Sequence, residues 1–404
     1  MLHKVTLYRA KGKTGPVTLT YLEETVGRSQ ARFKNRTTLT PQIDLSAYRC
    51  AAVVDYIDVL FELSRRTQHW KINDRIERLT GRKEFPEALD LGPGKTASRY
   101  KLRVQEPNFS TVRQVLKDIG DTYGFVKPPK VASIEISIDF YPNEPEEEAR
   151  ALLHGVLTRH FFPTTRVLER NRMWPRFTPG YIDPTDYTVG RNESDDSLDL
   201  GDRMAPGIDR PALYGSTYYV GEKDDPRALW RIQDKVLDKQ NPAAGTRDIL
   251  TEDQKRIRLE VTLGPEGCEE IGLRLFDDLE TLFITRLQKR FFQFMKPVFA
   301  TVYERGVGPA SSLVRQRVEN LRRERFLNAG VLGLQIRDDA AVELRRINLP
   351  TIRRLAAKRG SRVRPIVRRG TGAYGSMIAY GELTRVVERA LTKLQRKIRR
   401  EMLR

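Results

Sequence analysis

Ile257, Leu259, Val261 and Leu263 alternate with Arg256, Arg258, Glu260 and Thr262 along one short stretch. A period of two marks a strand with one buried and one polar face. Residues 133–141 repeat the pattern, with Ile134, Ile136, Ile138 and Phe140 on one side and Ser133, Glu135, Ser137, Asp139 and Tyr141 on the other. Residues 213–221 and 229–235 read as two further strands. In the first, Tyr214, Ser216, Tyr218 and Val220 share a face, and Tyr219 stands on the opposite one. Tyr219 and Glu260 are therefore expected on the polar side of one antiparallel sheet. Asp234 has the parity of Trp230 and Ile232, the apolar side, where a structural ion pair competes with any chemistry.

The rest of the chain supplies strands at residues 4–9, 16–22, 50–63 and 98–105. Helices are expected near 70–80, over 110–123 with Ser110 or Thr111 as cap, and over 145–162. Pro145 suits the first position of that last helix, and Glu146, Glu147 and Glu148 suit its positive end. In the strand at 50–63, Asp55 falls in line with Ile57, Val59 and Phe61. Residues 163–211, rich in Pro, Gly, Asp and Arg, read as a long loop region, and 266–305 as strongly helical. The predicted class is α+β: an antiparallel sheet core with packed helices, then a basic all-helical C-terminal domain. The expected boundaries are a basic segment at 1–48, a main domain at 49–305, a Gly-Val-Gly-Pro linker at 306–309, and a tail domain at 310–404.

Charge narrows the partners. The chain carries a formal +19, of which residues 311–404 hold +16, from 24 Lys and Arg against 8 Asp and Glu. A basic tail beside a nearly neutral body is the footprint of a polyanion binder, with nucleic acid the first expectation. Residues 351–360 read as a short helix capped by Thr351 and closed by Gly360. Its Arg353, Arg354, Lys358 and Arg359, with Arg362, Arg364, Arg368 and Arg369 beyond, are the expected DNA contacts. Residues 382–403 form an amphipathic helix whose stripe of Leu383, Val387, Leu391, Leu394, Ile398 and Met402 serves packing or a homodimer. No run of 18 apolar residues and no apolar N-terminal core occur, so a cytoplasmic protein without a membrane partner is expected.

Several chemistries are set aside. Cys50 and Cys268 are too few and too far apart for a disulfide framework or zinc knuckle, and read as buried small residues. The four histidines make no metal-binding pair. Gly94-Lys95-Thr96 imitates the end of a phosphate loop, but Leu89 stands where that motif needs its first glycine. Carboxylates remain. Glu135 and Asp139 lie roughly 13 Å apart along a strand and cannot share one small ion, so Asp139, at the strand end, is preferred.

Thr217-Tyr218-Tyr219-Val220-Gly221, Arg231-Ile232-Gln233-Asp234-Lys235 and Arg258-Leu259-Glu260 resemble, in order, three motifs of the replication initiators of rolling-circle plasmids. Related relaxases of integrative elements belong to the same group. Val54-Asp55-Tyr56-Ile57 and Ile136-Ser137-Ile138-Asp139 resemble the group's early strands, and the likeness covers roughly residues 50–300. One departure is Gln233, where the group usually has tyrosine. The resemblance implies a site-specific single-strand nick in which a tyrosine becomes joined to the 5′ phosphate and a 3′ hydroxyl is freed. It makes Tyr219 the nucleophile, with Tyr218 and Tyr214 as rivals. Arg231, Lys235 and Arg258 would neutralise the phosphate. Asp139, Glu260 and Asp234 would hold Mg²⁺ or Mn²⁺. Origin DNA, both the nick site and flanking duplex, is the implied partner, with a host helicase beside it. A mobile-element relaxase is the alternative with the same chemistry. A DNA-binding regulator without catalysis is the alternative from another class.

Overall fold

The computed structural model describes residues 1–9, 15–27, 33–81, 84, 86–162, 176–178, 187–188, 213–214, 217–220, 225–241, 246–300, 309–360 and 377–403. The strands are β1 Leu2–Arg9, β2 Val17–Thr25, β3 Arg36–Pro41, β4 Tyr48–Gln68, β5 Glu87–Ala88, β6 Thr96–Gln105, β7 Lys130–Pro142, β8 Arg176–Thr178 and β9 Tyr187–Thr188. They continue with β10 Leu213–Tyr214, β11 Thr217–Val220, β12 Ala228–Lys235, β13 Leu237–Asn241, β14 Thr246–Ile249, β15 Arg256–Leu263, β16 Met295–Ala300 and β17 Met377–Ala379. The helices are α1 His69–Thr80, α2 Phe109–Tyr123, α3 Glu147–His160, α4 Pro265–Ile271, α5 Ile284–Phe291, α6 Pro309–Lys358 and α7 Gly381–Met402.

Antiparallel pairing builds a sheet in the order β5-β6-β4-β7-β15-β12-β11-β8-β9. The α+β class holds. The isoleucines of β7 and the Ile257, Leu259, Val261 and Leu263 side of β15 are buried together. Their apolar face is covered by α3, which also touches β1 and β2 of a second sheet, ordered β10-β1-β2-β3-β16-β17. Placement between two sheets explains why almost every residue of α3 from Arg150 to His160 is buried. His154 and His160 are thus core residues; His160 Nδ1 donates to the Met295 carbonyl at 2.7 Å. Cys268 is buried and Cys50 half-buried, and both are free thiols.

The sequence expectation for the C-terminal region is corrected. Leu383, Val387, Leu391, Leu394, Ile398 and Met402 of α7, and Phe326, Val331 and Leu332 of α6, belong to the same hydrophobic core as β4, β7 and β15. The stripe of α7 is occupied by its own chain, on β4, α2, α5 and the 3₁₀ turn at Phe276–Thr281. Nor is this part all helical, because β17 pairs β16. Within the basic segment at 1–48 the expected strands at 4–9 and 16–22 are present as β1 and β2, and β3 joins them in the second sheet. Gly330 marks where α6 presses on α3. Its φ is +69°, and a Cβ there would sit 2.6 Å from Arg159 Cα and 2.8–2.9 Å from two carbonyl oxygens, a position only glycine fills.

Other boundaries shift for local reasons. Asn108 caps α2 through its side chain, in place of Ser110 or Thr111. Pro145 lies outside α3, whose N-cap is Glu146. The stretch read as helix at 266–305 divides into α4, a 3₁₀ turn, α5 and β16. The expected strand at 213–221 is two pieces, since β10 pairs β1 in the second sheet while β11 pairs β12. Thr351 caps nothing: it lies inside α6 just after Pro350, although Gly360, at φ +63°, does follow the helix end. The linker at 306–308 and most of the loop at 163–211 fall outside the described residues. No helix among the described residues is long and apolar enough to cross a membrane.

Candidate active site on the polar sheet face

Strand register sets the site. Ser137 pairs with Val53 and with Glu260, Glu260 with Arg231, and Arg231 with Tyr219. Directly paired residues point to the same side of a sheet, so these form one row on the face opposite the isoleucines. Tyr219 and Glu260 are two strands apart in it, roughly 10 Å at the backbone. One two-residue step away runs Tyr56, Glu135 and Thr262. A step the other way runs Ala51, Asp139, Arg258 and Gln233.

An irregularity adds a member that parity assigned to the core. Between Val54 and Tyr56 the register of β4 on β7 shifts by one residue. Such a bulge leaves an extra residue unpaired and re-aims side chains. Asp55 therefore reaches the polar side, where its Oδ2 accepts from Ser137 Oγ and from Arg258 Nη1 at 2.7 Å. Carboxylate oxygens of Asp55, Glu135 and Glu260 all lie within 4.8 Å of one another.

Two guanidiniums thread this acidic group. Arg231 meets Glu135 at 2.8 Å and Glu260 at 2.7 Å. Arg258 donates to both oxygens of Asp139, at 2.6 and 2.7 Å, and lies 3.7 Å from Glu260. Gln233 Nε2 donates to Glu260 Oε1 at 3.0 Å. Gln233 is thus in contact with the acidic group. Burial pushes the Glu260 carboxyl up to about 7; Arg231 opposes this and Glu135 adds to it. Burial works against the charge of Arg231, yet Glu260 and Glu135 hold its pKa above the ordinary value. Burial also opposes the charge of Arg258, and its hydrogen bonds to Asp139 outweigh that. Lys235, at the end of the same face, is lowered by burial and by Arg258 and Arg256.

The structure sorts the sequence candidates. Tyr219, Arg231, Arg258 and Glu260 come together. Asp139 does not join the three carboxylates: it is buried under the Arg258 fork with Arg256 Nε at 3.1 Å, and Glu135, the residue set aside for it, takes the place. Asp234 is on the opposite face, buried with Arg150 at 3.0 Å, so it reaches neither phosphate nor metal from there. Tyr218 pairs with Ile232 and is enclosed by the core, where burial raises its pKa. Tyr214 lies in the other sheet and donates to Glu147. Both rivals therefore leave the site. Tyr56 and Tyr141, which sequence reasoning passed over, stand on the polar face instead. Burial, and then Glu135, raises Tyr56; burial, and then Asp139, raises Tyr141. Arg353, Arg354, Lys358 and Arg359 are exposed at the end of α6. Arg362, Arg364, Arg368 and Arg369 lie outside the described residues.

A cleft of about 400 Å³ opens on this face, lined by Asp55, Asp139, Tyr141, Arg256, Arg258 and Lys397 among others. A second, of about 380 Å³ between α1, β6 and α2, holds none of the candidate residues. Compared with known proteins, the chain matches no family model, no curated protein and no solved structure.

Proposed function

We propose that the chain is a DNA-nicking replication initiator of the rolling-circle type, with Tyr219 as nucleophile. The observation that supports it is a tyrosine, two arginines and three mutually close carboxylates on one sheet face. Asp55, Glu135 and Glu260 would hold the divalent ion. Their oxygen-only donor set suits Mg²⁺ or Mn²⁺, whose bond lengths of about 2.0–2.1 Å need ligand oxygens about 3–4 Å apart. When bound, such an ion polarises a phosphate oxygen.

In this reading the Tyr219 oxygen bonds to phosphorus as the bond to the 3′ oxygen breaks. The 5′ phosphate stays on the tyrosine, and the phenolic proton is, in net, gained by the departing 3′ oxygen. Arg231, beside Tyr219 in the row, and Arg258 turn from carboxylate to phosphate and balance the charge that develops. Reversal of the step rejoins the strand, so a mobile-element relaxase would use the same residues.

A second reading has its own observation. Arg231 and Arg258 already neutralise the carboxylates, as a purely structural ion-pair network would. The chain would then be a DNA-binding regulator without catalysis. The deciding experiment uses labelled single-stranded oligonucleotides tiled across the DNA that encodes the chain, with Mg²⁺ or Mn²⁺, on denaturing gels. A metal-dependent covalent adduct, lost in Tyr219→Phe and kept in Tyr56→Phe and Tyr141→Phe, is the expected outcome. An adduct lost only in Tyr56→Phe or Tyr141→Phe moves the nucleophile to that residue. Absence of any adduct, with salt-sensitive DNA binding retained, favours the regulator.

A further inference from the structure

The sequence pattern of α7 marks an apolar stripe within a basic region. Its outward side has a separate character. From residue 389 to residue 400 every exposed residue is a cation: Arg389, Lys393, Arg396, Lys397 and Arg400. At 3.6 residues per turn these five fall within about 100° of arc and cover about 16 Å of helix. The inner stripe of the same helix is fixed in the core, so the cationic face is held on a rigid element. It also leads somewhere. Lys397, with Leu394 and Ile398 of the inner side, lines the cleft together with Asp55, Arg256 and Arg258. The cationic face and the polar sheet face are thus continuous.

We propose that this face of α7 binds the phosphate backbone of single-stranded DNA and leads the strand into the cleft. About 16 Å follows roughly five phosphates at the ~3.4 Å spacing of one stacked strand. The cleft argues for a single strand: about 400 Å³ is the size that encloses one small ligand, and a duplex is far larger. It also holds an aromatic ring, Tyr141, of the kind on which unpaired bases stack. Burying the phosphates of one strand against five fixed cations releases counterions, so the contact is salt-sensitive and independent of sequence. The proposal rests on the nicking reading for the destination of the strand, and its test lets the two fail separately.

The experiment compares the full chain with Arg389→Gln/Lys393→Gln/Arg396→Gln/Arg400→Gln, whose substituted side chains are all exposed. An unchanged thermal melt checks the fold. Anisotropy of a labelled single-stranded oligonucleotide is followed from 50 to 300 mM salt, beside a duplex and a single-stranded RNA of the same sequence and phosphatidylserine vesicles. The expected result is binding weakened at least tenfold at 100 mM salt, with the salt slope smaller by about 3, near 0.7 per lost contact. Affinity within twofold and an unaltered slope overturn the proposal. So does a wild-type chain that prefers the duplex, the RNA or the vesicles and loses that preference in the variant. If no adduct ever forms but the variant loses single-strand binding, the nicking reading falls and this one stands. If adducts form equally in both and binding is unchanged, only this one falls.

Discussion

The two faces of the large sheet are made by the same strands and obey opposite rules. On the apolar face, Ile134, Ile136, Ile138, Ile257, Leu259, Val261 and Trp230 bury against α3 and its neighbours. There the Asp234 carboxylate is buried against Arg150 at 3.0 Å. On the polar face, Asp55, Glu135, Asp139 and Glu260 share Arg231, Arg256 and Arg258 in a network where Asp139, Glu260, Arg231 and Arg258 each have two or more charged partners. The difference bears on function. A deeply buried pair is rigid and fails when halved, whereas a wider network can release one member to a ligand and keep its balance.

The largest effect should follow from halving the buried pair. Asp234→Ala leaves the Arg150 guanidinium buried, with the exposed Glu252 carboxylate at 3.8 Å. Loss of one partner of a buried pair costs about 3–5 kcal/mol. Urea unfolding should report a loss in that range, while the fraction that stays folded binds Mn²⁺ as the wild type does. A stability change under about 1 kcal/mol, or lost Mn²⁺ binding in the folded fraction, would erase the contrast between the faces.

The next effect is one of pH, and it belongs to the layer between the sheets. Burial pushes His160 down to about 3, with Tyr21, Phe326 and Tyr380 packed around its ring. The unfolded chain binds the proton near pH 6.5 and the fold does not. The stabilising contribution is therefore complete above pH 6.5 and is lost as pH falls towards 3. At pH 4.5 the loss is on the order of 3 kcal/mol. Comparing His160→Gln with the wild type at pH 7 and pH 4.5 isolates it: the variant should lose that much less on acidification. Parallel losses in the two proteins would mean that His160 is protonated within the fold.

How far these faces can be read from the sequence follows from their geometry. Period-two alternation sends Ile138 and Leu259 one way and Ser137 and Glu260 the other, so the row from Ser137 to Tyr219 was legible. Asp55 was not, because a one-residue bulge reverses parity and nothing in Val54-Asp55-Tyr56 announces one. The place of Glu135 was hidden for a different reason: spacing along one strand says nothing of carboxylates that converge across strands about 4.8 Å apart. The stripe of α7 could be read from its spacing, but its partner could not, since any apolar surface satisfies the same pattern. Pro350-Thr351 imitates a helix start, and only the run of α6 through it shows otherwise.

The smallest effect probes whether the polar network can release a member. Glu260→Gln keeps the shape and the hydrogen bond with Gln233 within reach, but removes one of the three carboxylates. If these hold a divalent ion, Mn²⁺ affinity measured by calorimetry should fall at least tenfold, about 1.4 kcal/mol. Stability should change far less than in Asp234→Ala, because Arg231 keeps Glu135 and Arg258 keeps both Asp139 and Asp55. Asp139→Asn is the matching control. It disturbs the Arg258 fork but takes no oxygen from the three, so its Mn²⁺ affinity should stay within about threefold of the wild type. A variant pair with the order reversed would make Asp139 the ligand and return Glu260 to the ion-pair network. Equal stability losses in Glu260→Gln and Asp234→Ala would mean that the polar face is as rigid as the apolar one. It would then have no charge to spare for a metal or a phosphate.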